Sequence, residues 1–240
     1  MLVLGIETSG LQGSIAVVRD DIPLGELQLN QTGRRHAQSL VLEIGEVLRS
    51  AGLTPRDVEL VAVSRGPGSF TGLRVGMVCA KTFAYATRCQ FVAVDTFAAI
   101  AANMPPEMKR VFVIDDAQRD DLFAGEYTRN DAQHWELVAP IRIIGQDEFL
   151  RQRSVTDTVI GPGLLKCDPG RLAEKSFSVA TIHRPSATVI ARLGQLRSTS
   201  ETAGMDPKDR DFWKAGPFYI RPSAAEEKRA LLAAKAGPGD

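Results

Sequence analysis

Cysteine is scarce: Cys79, Cys89 and Cys167 are odd in number and show no CxxC spacing. A disulfide framework and a zinc site built on paired thiolates are both argued against by that pattern. Histidine is equally sparse, and His36, His134 and His183 are isolated, with no HxxxH or HExxH pair to set two imidazoles on one helical face. Neither sign of charge dominates. Lys plus Arg number 29 and Asp plus Glu number 29; residues 1–104 hold nine of each and residues 105–240 hold twenty of each. That balance excludes a protein that grips nucleic acid mainly through bulk positive charge. The most apolar run, 75–86, is interrupted by Lys81 and is too short to span a bilayer. The opening MLVLGIETSG has no basic segment followed by a long apolar stretch and a small-residue cleavage site, so export is not expected and the cytoplasm is the expected compartment. The nucleophile elbow GxSxG and the phosphate-loop pattern GxxxxGK(S/T) are missing as well.

What is present is the composition of an ordinary globular protein, 44% hydrophobic and 24% charged. Its 240 residues suffice for one large domain or two small ones. Short apolar segments at 2–8, 13–19 and 24–30, separated by SGLQ and DDIP, predict an antiparallel meander. From 34 to 51 the positions Ala37, Leu40, Val41, Ile44, Val47, Leu48 and Ala51 recur at three and four, the period of a helix, which Gly52 stops. LVAVS at 60–64 predicts a buried strand, 72–87 a helix and FVAV at 91–94 another strand, an order that implies a parallel crossover. After NMPP at 103–106 the pattern begins again, with strands expected at 110–115, 122–129 and 135–144, then a helix, a strand at 158–160 and further helical segments. The second half thus repeats the order of the first. Two related α/β lobes are expected, 1–104 and 105–223, with a tail at 224–240 that is helical or frayed.

The stretch SRGPGSFTG at 64–72 lies between a predicted strand and a predicted helix. Glycines at such a place let backbone amides approach an anion at the positive helix end. They serve a plain tight turn equally well, and spacing leaves both readings open. Glu7, at the end of the first strand, is suited either to hold a metal or water beside phosphates or to stand solvated. DDAQRDD at 115–121 occupies the corresponding turn of the second lobe, and its four carboxylates around one arginine suit a cation, a basic partner or water. The helix after the glycine loop is more informative. At about 100° per residue its apolar and small positions cover roughly 200° of arc, leaving a narrow strip of Arg74, Lys81 and Tyr85. One sheet face does not bury so wide an arc. Gly72, Gly76, Ala80 and Ala84 also form a ridge of small residues at every fourth position, where a second backbone can come close. The helix is expected to touch a sheet on one side and another helix on the other, either 34–51 of the same chain or a second molecule. Cys79 reads as a small core residue rather than a nucleophile, and Ser69 and Thr71 as helix caps.

RGPGSFTGLRVG at 65–76 closely resembles the signature of the TsaB (formerly YeaZ) family of bacterial tRNA threonylcarbamoyladenosine biosynthesis proteins. LGIETS at 4–9, RHAQ at 35–38, Asp116-Ala117 leading into FAGEY at 123–127, and PFYIRP at 217–222 follow in the family's order. The resemblance implies a two-lobed actin-like, Hsp70-like ATPase (ASKHA) fold, each lobe a mixed sheet flanked by helices. It implies a non-catalytic subunit that binds and activates TsaD, the related transferase that moves a threonylcarbamoyl group onto adenosine 37 of tRNAs reading codons that begin with A. TsaE, an ATPase, completes that complex. The implied pairing surface is the first two helices of the N-terminal lobe, and the residues expected there are Leu40, Glu43, Val47, Gly72, Val75, Gly76, Cys79 and Phe83. A homodimer through the same face is expected to compete, and tRNA is expected to be met only through the complex. No cofactor is required by the chain itself on this reading, ATP or ADP belonging to the assembled complex; the residues expected around a nucleotide are Glu7, Gly66, Gly68 and Gly161. The paired metal-holding histidines of the catalytic relative are absent, which argues against independent catalysis. The competing reading is an independent ATPase or small-molecule kinase working in the cleft between the lobes. Gln118 and Asp121 stand where many members carry arginine and glutamate, and the tail after Pro222 bears no family motif.

Overall fold

In a computed structural model of the chain, the described residues are 1–29, 36–132, 134–154, 156–168, 172, 178–179, 184–201 and 212–221. Arg35, His183, Pro222 and the tail 224–240 lie outside them. The expected meander is β1 (Leu2–Glu7), β2 (Ser14–Arg19) and β3 (Ile22–Gln28). Asp20 and Asp21 both take positive φ, 46° and 67°, in the two-residue turn between β2 and β3, where short carboxylate side chains tolerate the left-handed region. Then come α1 (His36–Ser50), β4 (Leu60–Ser64), α2 (Phe70–Thr87) and β5 (Gln90–Val94). β4 runs parallel to β1 and to β5, giving a mixed sheet in the order β3-β2-β1-β4-β5.

Strand alternation sorts the apolar residues of this sheet onto two faces. Leu4, Ile6, Ile15, Val17, Val61 and Val63 pack beneath α1 and α2. Val3, Ala16, Val18, Leu60 and Ala62 pack beneath α5 (Ala187–Glu201), so the first sheet is covered on its far side by chain that has returned from beyond the second. Gly5 makes that return feasible: a Cβ there would collide with the Ala187 carbonyl. The Ala187 amide donates to Ser14 Oγ at 2.9 Å, securing the first turn of the helix to β2.

The second sheet repeats the plan. β6 (Arg110–Gln118) and β7 (Asp121–Arg129) form its hairpin, with β10 (Thr158–Ile160) parallel to β6 and β11 (Ser178–Val179) parallel to β10. The single strand expected at 135–144 is two, β8 (Trp135–Leu137) and β9 (Arg142–Gly145), which pair with opposite ends of β7. Pro140, with no N–H to donate to a ladder, lies in the break. One face of this sheet packs on α3 (Thr96–Ala101) and the other on α4 (Gln146–Arg151) and the turn Pro162–Leu165.

α3 was not anticipated and is buried along its whole length, its Phe97 and Ile100 among Val111, Val113, Phe123 and Ile160 of the second lobe. Asp95 caps it, accepting from the Ala98 amide at 2.8 Å, and the same Oδ1 accepts from the buried Tyr127 hydroxyl at 3.0 Å. The pair joins the end of the first sheet to β7. Burial and the neighbouring Asp95 carboxylate hold the Tyr127 phenol well above its usual range, so it stays a donor.

The contact at Gly5 predicts a large and local cost. Gly5→Val should overpack the sheet against α5 and destabilise the chain by about 1–3 kcal/mol, read as a lowered urea midpoint. Gly45→Ala, on α1 with only the Arg49 side chain within 4 Å, should be neutral or stabilising by up to about 1 kcal/mol. Equal midpoints for the two variants would contradict this account of how α5 is seated.

Candidate functional site

The loop from Arg65 to Ser69 and the helix it leads into meet the β1–β2 turn. Ser69 caps α2, its Oγ accepting from the Gly72 amide at 3.3 Å, and Thr71 is exposed on the helix surface rather than capping it. The Ser69 amide donates to the Ser9 carbonyl at 2.6 Å, and Thr8 Oγ1 donates to the Gly72 carbonyl at 2.8 Å. Added Cβ atoms at Gly68, Gly72 and Gly76 would collide with Ser9 O, Thr8 O and Thr8 Oγ1 respectively. Gly66 has φ 111°, its amide donates to Thr96 Oγ1 at 3.1 Å, and a Cβ on it would stand 2.8 Å from the Phe218 carbonyl. Of the two readings left open by the spacing, the geometry supports packing: these glycines let three stretches of backbone lie against one another, and the Gly66 and Ser69 amides already have protein acceptors.

Glu7 lies under this junction. It is fully buried, its Oε1 accepting from both the amide and the hydroxyl of Ser9 at 2.5 Å, while Oε2 has no hydrogen-bond partner among the described residues. Burial pushes its carboxyl from 4.5 up to about 7 against the lowering effect of the Ser9 and Ser64 bonds, with a small further rise from Asp115. The solvated alternative for Glu7 is thereby corrected. Asp115, on β6, is pushed to about 6, again first by burial. Gly161 has φ 110° and leaves no room for a Cβ beside the Ile114 carbonyl, so the strand-end turn of β10 lies against β6 next to Asp115. The fold therefore brings Glu7 and the turns bearing Gly66, Gly68 and Gly161 toward the carboxyl ends of β1, β4, β6 and β10, where α/β sheets place ligands.

The acidic turn 115–121 is largely neutralised by the chain itself. Arg221 forms an ion pair with Asp121 and donates to the Ala117 and Gln118 carbonyls, and Lys166 lies 3.2 Å from Asp116. Gln118, Arg119 and Asp120 take φ of 65°, 55° and 63° across the tip. Asp121 keeps a carboxylate for Arg221 although it is shorter than the glutamate expected there.

On the helical face the expected partner residues divide. Leu40 and Val47 are buried in the core beneath α1, and Gly76 faces Thr8, so these three support the helices from within and present no surface: a correction to the pairing residues expected from the resemblance. Val75, Cys79 and Phe83 are half-buried on one flank of α2, packed against the same core, and Glu43 and Gly72 are half-buried. Burial raises the Cys79 thiol to about 11, consistent with a packing residue. The aliphatic side chains that do reach solvent are Val41 at 66%, Leu42 at 74% and Val78 at 64% exposure; Val41 was expected only as part of the helical period, and none of the three was among the expected partner residues. Of the alternatives for the arc of α2, α1 of the same chain covers part, and these residues remain open.

Two mixed sheets, each sandwiched by helices and meeting at their strand ends, define a two-lobed α/β protein of the actin-like (ASKHA) class. The family model for TsaD, tRNA N6-adenosine threonylcarbamoyltransferase, matches residues 27–148. The TsaB biosynthesis protein of Bacillus subtilis is 24% identical over 95% of this chain and 97% of its own length. That of Escherichia coli is 28% identical over 68% of this chain and 72% of its own length. The crystal structure of YeaZ from Pseudomonas aeruginosa superposes with a TM-score of 0.70 at 22% identity, covering 91% of this chain and 99% of that one. The chain belongs to the TsaB branch of this family.

The buried Glu7 predicts a specific pH dependence. Its folded-state pKa lies above its unfolded value, so the folded state holds the proton more tightly and stability is full below about pH 4.5, falling as pH rises through about 7. A shift of this size corresponds to about 3 kcal/mol, with Asp115 acting in the same sense up to about pH 6. Glu7→Gln should flatten the upper part of that fall, seen in urea midpoints from pH 5 to pH 8. An unchanged slope would mean that Glu7 ionises freely.

Proposed function

We propose that this chain is the non-catalytic subunit that docks on TsaD through α1 and α2 and activates threonylcarbamoyl transfer to adenosine 37 of tRNAs reading codons that begin with A. The observation carrying this reading is the exposure of Val41, Leu42 and Val78 on two helices that pack side by side on one sheet face. Exposed apolar residues grouped on one face are the mark of a surface that another protein covers. Membership of a family whose curated relatives act in tRNA threonylcarbamoyladenosine biosynthesis supports the pathway, and the TsaD match supports a partner of related fold. Half-buried Val75, Cys79 and Phe83 form the base of the docking face, with Glu43 and Gly72 at its edge. Self-association through the same helices competes with TsaD, and TsaE joins the assembled pair. The cytoplasm is the compartment in which such a complex meets tRNA.

An independent ATPase or kinase reading would need carboxylates that are ionised at neutral pH to hold a metal on phosphates. Glu7 is fully buried, its Oε1 is taken up by the Ser9 amide and hydroxyl, and burial raises its pKa to about 7. The glycines of the 65–69 loop are accounted for by packing against Ser9 and Phe218. Both features favour the accessory role.

Val78→Glu and Leu42→Glu should each abolish copurification with TsaD while leaving the melting temperature within a few degrees, because both side chains already face solvent. Reconstituted tRNA modification should fall with them, and formation of the threonylcarbamoyl adenylate should not. Retention of the complex by both variants would place the docking surface elsewhere. Turnover of ATP by the purified chain alone at a useful rate would favour the enzyme reading.

A further inference from the structure

The flank of α2 opposite Val75, Cys79 and Phe83 is also occupied. Residues 212–221 run along it in the reverse direction, with Trp213 beside Tyr85 and Lys81 and with Tyr219 beside Phe70 and Arg74. The segment begins with a single 3-10 turn, Phe212–Lys214, and then runs on without regular structure to Tyr219. The Arg74 guanidinium lies 4.0 Å from the Phe70 ring centroid and 5.5 Å from that of Tyr219, and its Nε donates to the Tyr219 hydroxyl at 2.8 Å. Lys81 Nζ donates to the Trp213 carbonyl at 2.9 Å. The polar strip of α2 is thus built into a composite surface with the 212–221 segment.

Its composition departs from the rest of the chain. Segments 70–88 and 212–221 together hold Arg74, Lys81, Arg88 and Lys214 and no carboxylate, Arg221 being paired with Asp121 across the lobes, in a protein whose 29 acids and 29 bases balance. Seven aromatic residues fall in the same two segments, and Tyr85 and Trp213 are 70% and 59% exposed. Arg74, Lys81 and Arg88 recur every seventh residue, about 10 Å apart along the helix, close to the span of three phosphates in a stacked strand. Cations that track phosphates beside exposed rings that stack bases are the two ingredients of recognition of unpaired nucleic acid.

We propose that this edge, formed by α2 and residues 212–221, contacts an unpaired stretch of RNA such as a stem–loop. Tyr85 and Trp213 supply the stacking surfaces, and Lys81 and Arg88 the phosphate contacts. Arg74 acts as a positioning residue that holds the Tyr219 and Phe70 rings. An acidic peptide would use the cations and leave the rings in water, so RNA is the partner that uses both. The strip lies opposite Val75, Cys79 and Phe83 but takes in Val78, which stands between Arg74 and Lys81, so RNA and a docked protein would compete for this part of α2.

The test uses the full chain and a fluorescein-labelled RNA stem–loop with a seven-nucleotide loop, followed by anisotropy at several salt concentrations. A fully paired hairpin and poly-glutamate serve as comparison ligands. The loop RNA should bind more tightly than the paired hairpin. Tyr85→Ala and Trp213→Ala should each weaken binding about tenfold, and Lys81→Gln should lower the salt slope by about one. Arg151→Ala, on the other lobe, should change nothing. Ultraviolet cross-links should map to peptides from 70–88 or 212–221. Each variant is checked by its melting curve, and binding is read on the chain alone, without TsaD, so failure of the strip and failure of the docking face are told apart. No measurable loop binding, equal binding of the paired hairpin, or cross-links mapping elsewhere would overturn the proposal. So would RNA displaced by poly-glutamate with no effect of the aromatic truncations, which identifies an acidic protein partner instead.

Discussion

On one edge of α2 and the loop before it, Gly68 and Gly72 face the backbone of Ser9 and Thr8 and Gly76 faces the Thr8 side chain, and no further side chain fits between them. The helix can lie against the β1–β2 turn only because Gly68, Gly72 and Gly76 lack a Cβ, and the contact is held by the Thr8 hydroxyl on the Gly72 carbonyl and the Ser69 amide on the Ser9 carbonyl. The rest of the candidate site follows from this approach. It sets the rotation of α2, which puts Leu73, Met77, Ala80 and Ala84 into the core and divides what remains into two flanks. It also closes the space over Glu7, whose Oε1 is occupied by the same Ser9. A turn, a carboxyl and a helix face are therefore one mechanical unit. A change that lifts the turn exposes Glu7 and rotates the helix together.

The segment 212–221 ties this unit to the second lobe. Phe218 and Ile220 pack with the core beneath β6 and β7, while Tyr219, between them, turns the other way onto Phe70 and Arg74. That is the period-two alternation of extended chain applied to two surfaces at once. The Phe218 amide donates to the Arg65 carbonyl at 2.6 Å, and Arg221 completes the connection at the acidic turn through Asp121. With α3 inserted between the sheets and Tyr127 bonded to Asp95, the lobes share side chains at several points, which limits how freely they can open.

Much of the frame was legible from period alone. The meander, α1, β4, α2 and β5 fall where alternation and the three-four spacing put them, because each buries one face and leaves a pattern in the residues that do so. TFAAIA at 96–101 was missed because α3 is buried on every side and so has no polar face to reveal its period. The strand expected at 135–144 is two because Pro140, which has no amide to donate to a ladder, interrupts a largely apolar stretch. Helical spacing selects the residues that point at the core, such as Leu40 and Val47, but it also takes in Val41, which faces out; period alone therefore does not separate the buried side of α1 from its exposed one, and Leu42 and Val78 stand off it. Glu7 was found by its place at a strand end, but its burial depends on Ser9, Ser64 and the loop closing over it, which only the assembled fold supplies.

Net charge is a poor guide to what a narrow surface presents. At physiological ionic strength a charge is felt over about 8 Å, whereas Arg74 and Arg88 are separated by about 21 Å along the axis of α2. A ligand lying on this edge meets the cations of that edge one after another, and the balancing carboxylates elsewhere are screened from it. The neutrality of each half of the chain therefore limits long-range attraction and nonspecific affinity without limiting local recognition. Any contact made there must be short in range and dependent on ring stacking.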